Sequence, residues 1–102
     1  MKTILLVEDE TLIAMTEARM LKQNGYEVLT AYNAKKAIEL VKSNSIDLIL
    51  MDIDLGPGKM DGTEAAEIIL KEHDIPIVFL SSHTEPEVVE KTEGISSYGY
   101  IV

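Results

Sequence analysis

The stretch Leu48-Ile49-Leu50-Met51-Asp52-Ile53-Asp54 is a run of apolar residues that ends in two acids, one residue apart. Placing a charged group in an apolar interior costs several kcal/mol unless the charge is paired, hydrogen-bonded or bound to a metal. The stretch therefore predicts a buried strand whose carboxylates lie at an edge of the fold where such compensation exists.

Short apolar runs alternate with longer helical patterns on both sides of this stretch. That alternation is typical of strand-helix units that build a parallel sheet, so the predicted fold class is α/β. Four of the five predicted strands are nearly continuous in apolar residues, as expected for strands covered on both faces. The strands are predicted at Thr3 to Val7, Glu27 to Ala31, Leu48 to Met51, Ile77 to Leu80 and Tyr98 to Val102.

Helices are predicted in the intervals between the strands. The first runs from Leu12 to Gln23, with an apolar stripe of Ile13, Met20 and Leu21, and ends at Asn24-Gly25. The second helix is capped by Asn33, and its apolar face carries Ala34, Ala37, Ile38 and Val41. The third ends before Asp74 and is marked by Ala65, Ala66, Ile68, Ile69 and Leu70. The fourth is a short helix from Thr84 to about Gly94.

Composition narrows the class of protein. A chain of 102 residues with 46% hydrophobic and 26% charged residues has the size and composition of one globular domain. There is no cysteine, and the apolar run behind Lys2 is too short for a signal peptide, so a cytoplasmic protein is expected. The net charge of -9 argues against direct nucleic acid binding and against a membrane partner.

Acids follow two of the predicted strands. Ligands of open parallel sheets bind beyond the carboxyl ends of the strands, where the strand order reverses. If the order is 2-1-3-4-5, the first and third strands are neighbours and Glu8, Asp9 and Asp52 converge. Like charges at such short distances favour a bound cation. Because all the ligands are oxygen atoms, the favoured cation is Mg²⁺, with Mn²⁺ as a substitute. Glu10 is explained fully as an acid in the first turn of a helix.

The fourth strand is followed by Ser81-Ser82-His83, next to the third strand in the same order. A hydroxyl group there can donate a hydrogen bond to a phosphoryl oxygen, although the residues alone favour the simpler explanation that Ser81 and Ser82 are loop hydroxyls that satisfy their own turn. A nucleophilic carboxylate, a metal site and a hydroxyl donor together suit phosphoryl transfer.

At this point the sequence resembles the receiver domain of two-component response regulators. The matching segments occur in order, at family spacing, over essentially the whole chain. They are Ile4 to Glu10, Leu48 to Asp52, Met60-Asp61-Gly62, Pro76 to Ser82 and Tyr98 to Val102. The resemblance implies a doubly wound, flavodoxin-like sheet of five parallel strands in the order 2-1-3-4-5.

The resemblance also implies roles for the acids. Asp52 would accept a phosphoryl group from a phosphohistidine on a histidine kinase or phosphotransfer domain. Glu8, Asp9 and Asp52 would bind Mg²⁺ together with the backbone carbonyl of Asp54. The protein would then be a signalling phosphoacceptor and not an enzyme, beyond catalysing its own phosphorylation and dephosphorylation.

Switching residues follow from the same resemblance. Ser81 would be the switch hydroxyl and Tyr100 the switch aromatic, so that phosphorylation changes the face formed by helix four and strand five, which is also a candidate homodimer surface. The side chains of Asp54 and His83 would tune the rate of dephosphorylation.

Two features depart from the family pattern. The loop 55–59 is longer than usual and resembles receivers attached to sensory kinases. The lysine and last helix that follow the fifth strand in the family lie beyond Val102, so residues 1–102 are expected to be a single receiver domain that is incomplete at its C-terminal end.

Two other classes compete with this interpretation. Asp52-Ile53-Asp54 also resembles the Asp-x-Asp opening of haloacid dehalogenase-type phosphatases, in which the first acid is the nucleophile and the second a general acid. Those enzymes usually carry that motif on their first strand. A flavodoxin-like module for flavin or nucleotide would need a phosphate loop after the first strand, where Glu8-Asp9-Glu10 would repel phosphate.

Overall fold

The computed structural model of the protein describes residues 1–52, 60–80 and 99–101. Its elements in chain order are β1 (Thr3–Val7), α1 (Thr11–Gln23), β2 (Glu27–Ala31), α2 (Ala34–Ser43), β3 (Leu48–Asp52), α3 (Gly62–Glu72), β4 (Ile77–Leu80) and β5 (Gly99–Ile101). The predicted helix from Thr84 and the loop 55–59 lie outside the described residues.

The five strands form one parallel sheet in the order β2-β1-β3-β4-β5. This confirms the predicted α/β class and strand order. The order reverses between β1 and β3, and Val7 at the end of β1 lies opposite Met51 near the end of β3. The residues that follow β1 and those that end β3 therefore meet at one edge of the sheet.

Alternation along the strands divides the core between the two faces of the sheet. Leu5 and Val7 belong to the larger cluster, together with Ile49, Met51 and Phe79, and this cluster includes the buried alanines of α2 and α3. A smaller cluster on the other face joins β1 to α1. The larger cluster buries the ends of β1 and β3 and so holds the edge at which the acids meet.

The apolar stripe predicted for α1 is partly wrong. Ile13 and Met20 are 41% and 58% exposed, whereas Ala14 and Ala18 are buried against the sheet. Alanine side chains allow a helix to approach a strand closely, and the interior here selects small residues over large ones. Leu21 is half-buried, as predicted.

The predicted ends of two helices are confirmed. Asn33 is the N-cap of α2, and its side chain accepts a hydrogen bond of 2.8 Å from the Lys36 N–H. Gly25 follows the C-cap of α1 with a φ of 91°, a conformation that favours glycine. Among the described residues no helix is long and apolar enough to cross a membrane.

Replacing Asn33 with alanine should lower the free energy of unfolding by about 1 kcal/mol, because the Lys36 N–H loses its acceptor. Asn33→Asp keeps an acceptor oxygen at the same position and should retain most of the stability. Urea unfolding of both variants measures the difference, and equal losses in the two would argue against the cap.

Candidate metal centre

Three carboxylates meet at the carboxyl edge of the sheet. Glu8 and Asp9 directly follow β1, and Asp52 is the last residue of β3. One oxygen atom from each of the three side chains lies within 4.8 Å of the other two. The structure thus brings together the three acids that the strand order places at this edge.

The three carboxylates differ in their exposure to solvent. Glu8 is buried, with 7% of its surface exposed, whereas Asp52 is half-buried and Asp9 is exposed. Solvent therefore reaches the cluster on the side of Asp9.

Burial dominates the electrostatics of Glu8. It raises the pKa of this carboxyl group to about 7, and the nearby charges of Asp52 and Asp9 act in the same direction. The Glu10 N–H opposes them by donating a hydrogen bond of 3.1 Å to Glu8 Oε1. A divalent cation would reverse this balance, because it favours all three ionised carboxylates at once.

Backbone hydrogen bonds hold the acidic segment in place. The Glu8 N–H donates to the carbonyl oxygen of Ala31 at 3.0 Å, which extends the pairing of β1 with β2 by one residue. Glu10 is the N-cap of α1, and its side chain forms no capping hydrogen bond. Glu8 is thus fixed by the sheet, while Glu10 contributes its backbone.

Gly62 allows the N-terminus of α3 to pack directly on the backbone of Asp52. A Cβ atom built on Gly62 would overlap the carbonyl oxygen of Asp52 and lie 2.9 Å from Cγ of Met51. The sequence motif Met60-Asp61-Gly62 predicted family membership without a role for its glycine. The sequence did contain a cue to this close approach, because glycine lowers helix propensity and yet stands at the first position of a helix.

A capping box fixes the same end of α3. The Asp61 side chain accepts hydrogen bonds from the Glu64 N–H at 3.0 Å and from the Thr63 hydroxyl at 2.6 Å. In return, the Glu64 side chain accepts from the Asp61 N–H at 3.5 Å. This box was not predicted from the sequence, although Asp61 and Glu64 have the required spacing.

The other predicted site residues are placed differently. Asp54, Ser81 and His83 lie outside the described residues. Tyr100 lies in β5, in register with Phe79 of β4. Its predicted role as the switch aromatic stays a prediction.

The donor set at this edge fits a small, hard cation. It offers carboxylate oxygens from two adjacent strands, no sulfur and no imidazole among the three residues, and an open side for water ligands. Mg²⁺ prefers this combination, since it keeps several waters and needs only one or two protein carboxylates.

The chain belongs to the response regulator receiver domain family, whose pattern it matches over residues 4–102. Receiver domains are signalling domains that bind Mg²⁺ at an acidic cluster. Fold, acidic edge and family match therefore define a receiver domain of two-component signal transduction.

Particular relatives support the same assignment. The chain is 33% identical over 102 residues to the transcriptional regulatory protein PdtaR of Mycobacterium tuberculosis, which covers 99% of this chain and 49% of PdtaR. This chain thus spans about half the length of that curated relative.

Two solved structures are similar over almost the whole chain. The response regulator TrrA from Thermotoga maritima, solved in complex with Mg²⁺ and beryllofluoride, is 33% identical to this chain, with a TM-score of 0.85. The match covers 100% of this chain and 86% of the TrrA chain. The N-terminal domain of a response regulator/sensory box/GGDEF protein from Carboxydothermus hydrogenoformans is 46% identical, with a TM-score of 0.88. That match covers 98% of this chain and 80% of the solved chain.

Proposed function

We propose that this receiver domain takes a phosphoryl group from a phosphohistidine onto Asp52, with Mg²⁺ bound at the acidic edge. The observation that carries the proposal is the cluster of Glu8, Asp9 and Asp52, with ligand oxygens within 4.8 Å of one another. Asp52 is the member of this cluster that ends a central strand and is neither buried nor fully exposed.

The transfer is a displacement at phosphorus. A carboxylate oxygen of Asp52 forms the new bond to phosphorus as the bond from phosphorus to the imidazole nitrogen breaks, and the nitrogen keeps the electron pair. Bound Mg²⁺ supplies charge neutralisation for the phosphoryl oxygens. Glu8 and Asp9 are the side chains that would hold the ion, and the backbone carbonyl of Asp54 is assigned to it from the family motif.

The remaining motif residues complete the proposal. Ser81 is assigned as the hydroxyl that binds the phosphoryl group and Tyr100 as the aromatic residue that responds to it. The side chains of Asp54 and His83 are assigned the role of tuning the rate of dephosphorylation. Tyr100 is in register with Phe79 of β4, and β4 separates its strand from β3.

The proposed phosphoryl donor is a histidine kinase or a phosphotransfer domain. Residues 1–102 are proposed to act as one receiver unit. The relative PdtaR is named as a transcriptional regulatory protein. Because this chain spans about half of that relative, the output is not inferred from its name.

The test is phosphorylation with acetyl phosphate and Mg²⁺, followed by mass spectrometry of the intact protein. The wild type should gain one phosphoryl group, and Asp52→Asn should gain none, since an amide oxygen is a poor nucleophile at phosphorus. Asp47→Asn is the matched control, because Asp47 accepts a hydrogen bond from the Thr3 N–H at the start of β1, remote from the acidic edge. Labelling of Asp52→Asn at the wild-type level would refute the assignment.

A further inference from the structure

A groove lies between α1 and the edge strand β2, and none of the three acids of the metal centre is among the described residues that line it. Its volume is about 550 Å³. One side of α1 forms its wall with Met15, Arg19 and Lys22, and the chain at the end of β2 forms its floor with Thr30 and Tyr32.

The charge of this groove is opposite to that of the protein. Arg19 is the only arginine in a chain with 18 acidic and 9 basic residues, and none of the described residues that line the groove is acidic. Within residues 1–52, 60–80 and 99–101, the side chains of Arg19 and Lys22 form neither an ion pair nor a hydrogen bond. Two cations in one groove therefore have no partner within the described chain.

Backbone groups of β2 face the same region. Glu27 donates its N–H to Lys2, and Ala31 accepts from the Glu8 N–H, so these residues point toward β1. Alternate residues of a parallel strand point to opposite neighbours, which directs the N–H and C=O groups of Val28 and Thr30 away from β1. β2 is the end strand of the sheet, and no other described strand pairs with this edge.

We infer that this groove is a docking site for an extended acidic peptide segment of a partner protein, which adds a strand to the open edge of β2. Strand addition derives affinity from main-chain hydrogen bonds and specificity from the side chains that alternate toward a groove. Here the alternate side chains that face α1 would be acidic, because Arg19 and Lys22 lie there. The exposed parts of Met15 and Tyr32 offer contacts to the aliphatic stems of those acids.

The dimensions agree with this arrangement. Side chains on one face of an extended strand repeat about every 7 Å. Arg19 and Lys22 are three residues apart on a helix, which is about 4.5 Å along its axis. The length and flexibility of their side chains cover the difference, so two successive acids of one strand can each reach a cation.

The test uses two synthetic peptides of about eight residues, a usual strand length, one alternating Thr and Glu and the other alternating Thr and Lys. With the 102-residue chain, the Thr-Glu peptide should slow amide hydrogen exchange at Val28 and Thr30, as measured by nuclear magnetic resonance. The Thr-Lys peptide should not slow exchange at these two amides.

Matched charge reversals complete the test. Arg19→Glu combined with Lys22→Glu should weaken binding of the Thr-Glu peptide by about tenfold or more. Lys36→Glu combined with Lys42→Glu makes the same change in net charge on exposed positions of α2 and should leave binding within about twofold. Unchanged exchange at Val28 and Thr30, equal protection by the Thr-Lys peptide, or equal weakening by both double variants would overturn the inference.

Discussion

Gly62→Ala should destabilise the protein by about 2 kcal/mol or more, because the new methyl group meets backbone that cannot move away as a flexible side chain would. The atoms in its path are the carbonyl group of Asp52 and Cγ of Met51, which is itself fully buried. Relief requires either displacement of the N-terminus of α3 or a shift of the end of β3. Either movement changes the position of the Asp52 carboxylate.

Gly25→Ala is the natural control for this substitution. A Cβ atom at Gly25 meets no atom of the described residues within 4 Å, but φ there is +91°, so the cost is conformational strain of about 1 kcal/mol. Urea unfolding should rank Gly62→Ala as the more damaging change, and only Gly62→Ala should also slow labelling by acetyl phosphate. A loss at Gly62 no greater than that at Gly25, with normal labelling, would show that α3 does not press on Asp52.

The second large effect concerns Glu8 and pH. Its pKa of about 7 in the folded protein exceeds the ordinary value of 4.5, so the folded state binds the proton more tightly than the unfolded state. The contribution of Glu8 to stability is therefore complete below pH 4.5 and is lost as pH rises through about 7. The expected loss in metal-free protein is on the order of 1–3 kcal/mol, because water on the open side screens the charges.

Glu8→Gln isolates this effect, because glutamine has nearly the same shape and does not ionise. The variant should be more stable than the wild type at pH 8 without metal, and its stability should vary less between pH 4.5 and 8. Added Mg²⁺ should stabilise the wild type at pH 8 more than the variant. Thermal unfolding in chelator and in Mg²⁺ measures both differences, and an equal pH dependence in the two proteins would contradict the assignment to Glu8.

Much of the fold and the acidic cluster was predictable, because both depend on patterns that act along the chain. Continuous apolar runs identified the strands, and acids directly after two of these runs identified the edge where they meet. The position of Asp52 followed once β1 and β3 were taken as neighbours. These inferences needed only the apolar runs and the strand order 2-1-3-4-5, which the resemblance to receiver domains implied.

Other features depend on packing, which no periodic pattern specifies. The buried side of α1 is occupied by Ala14 and Ala18 and not by the larger Ile13 and Met20, because the distance from α1 to the sheet decides which residues fit. The contact of Gly62 with Asp52 is likewise a distance between two elements. Local sequence marked the glycine as unusual without showing what it touches.

The pairing of Val7 with Met51 sets the distance between the two groups of acids. Adjacent strands lie about 4.8 Å apart whatever side chains they carry, so the gap between the acids after β1 and the acid that ends β3 is a property of the backbone ladder. Core residues can be exchanged for others of similar volume without altering that gap. The distance between these acids therefore depends on the peptide backbone and not on the identity of the core side chains.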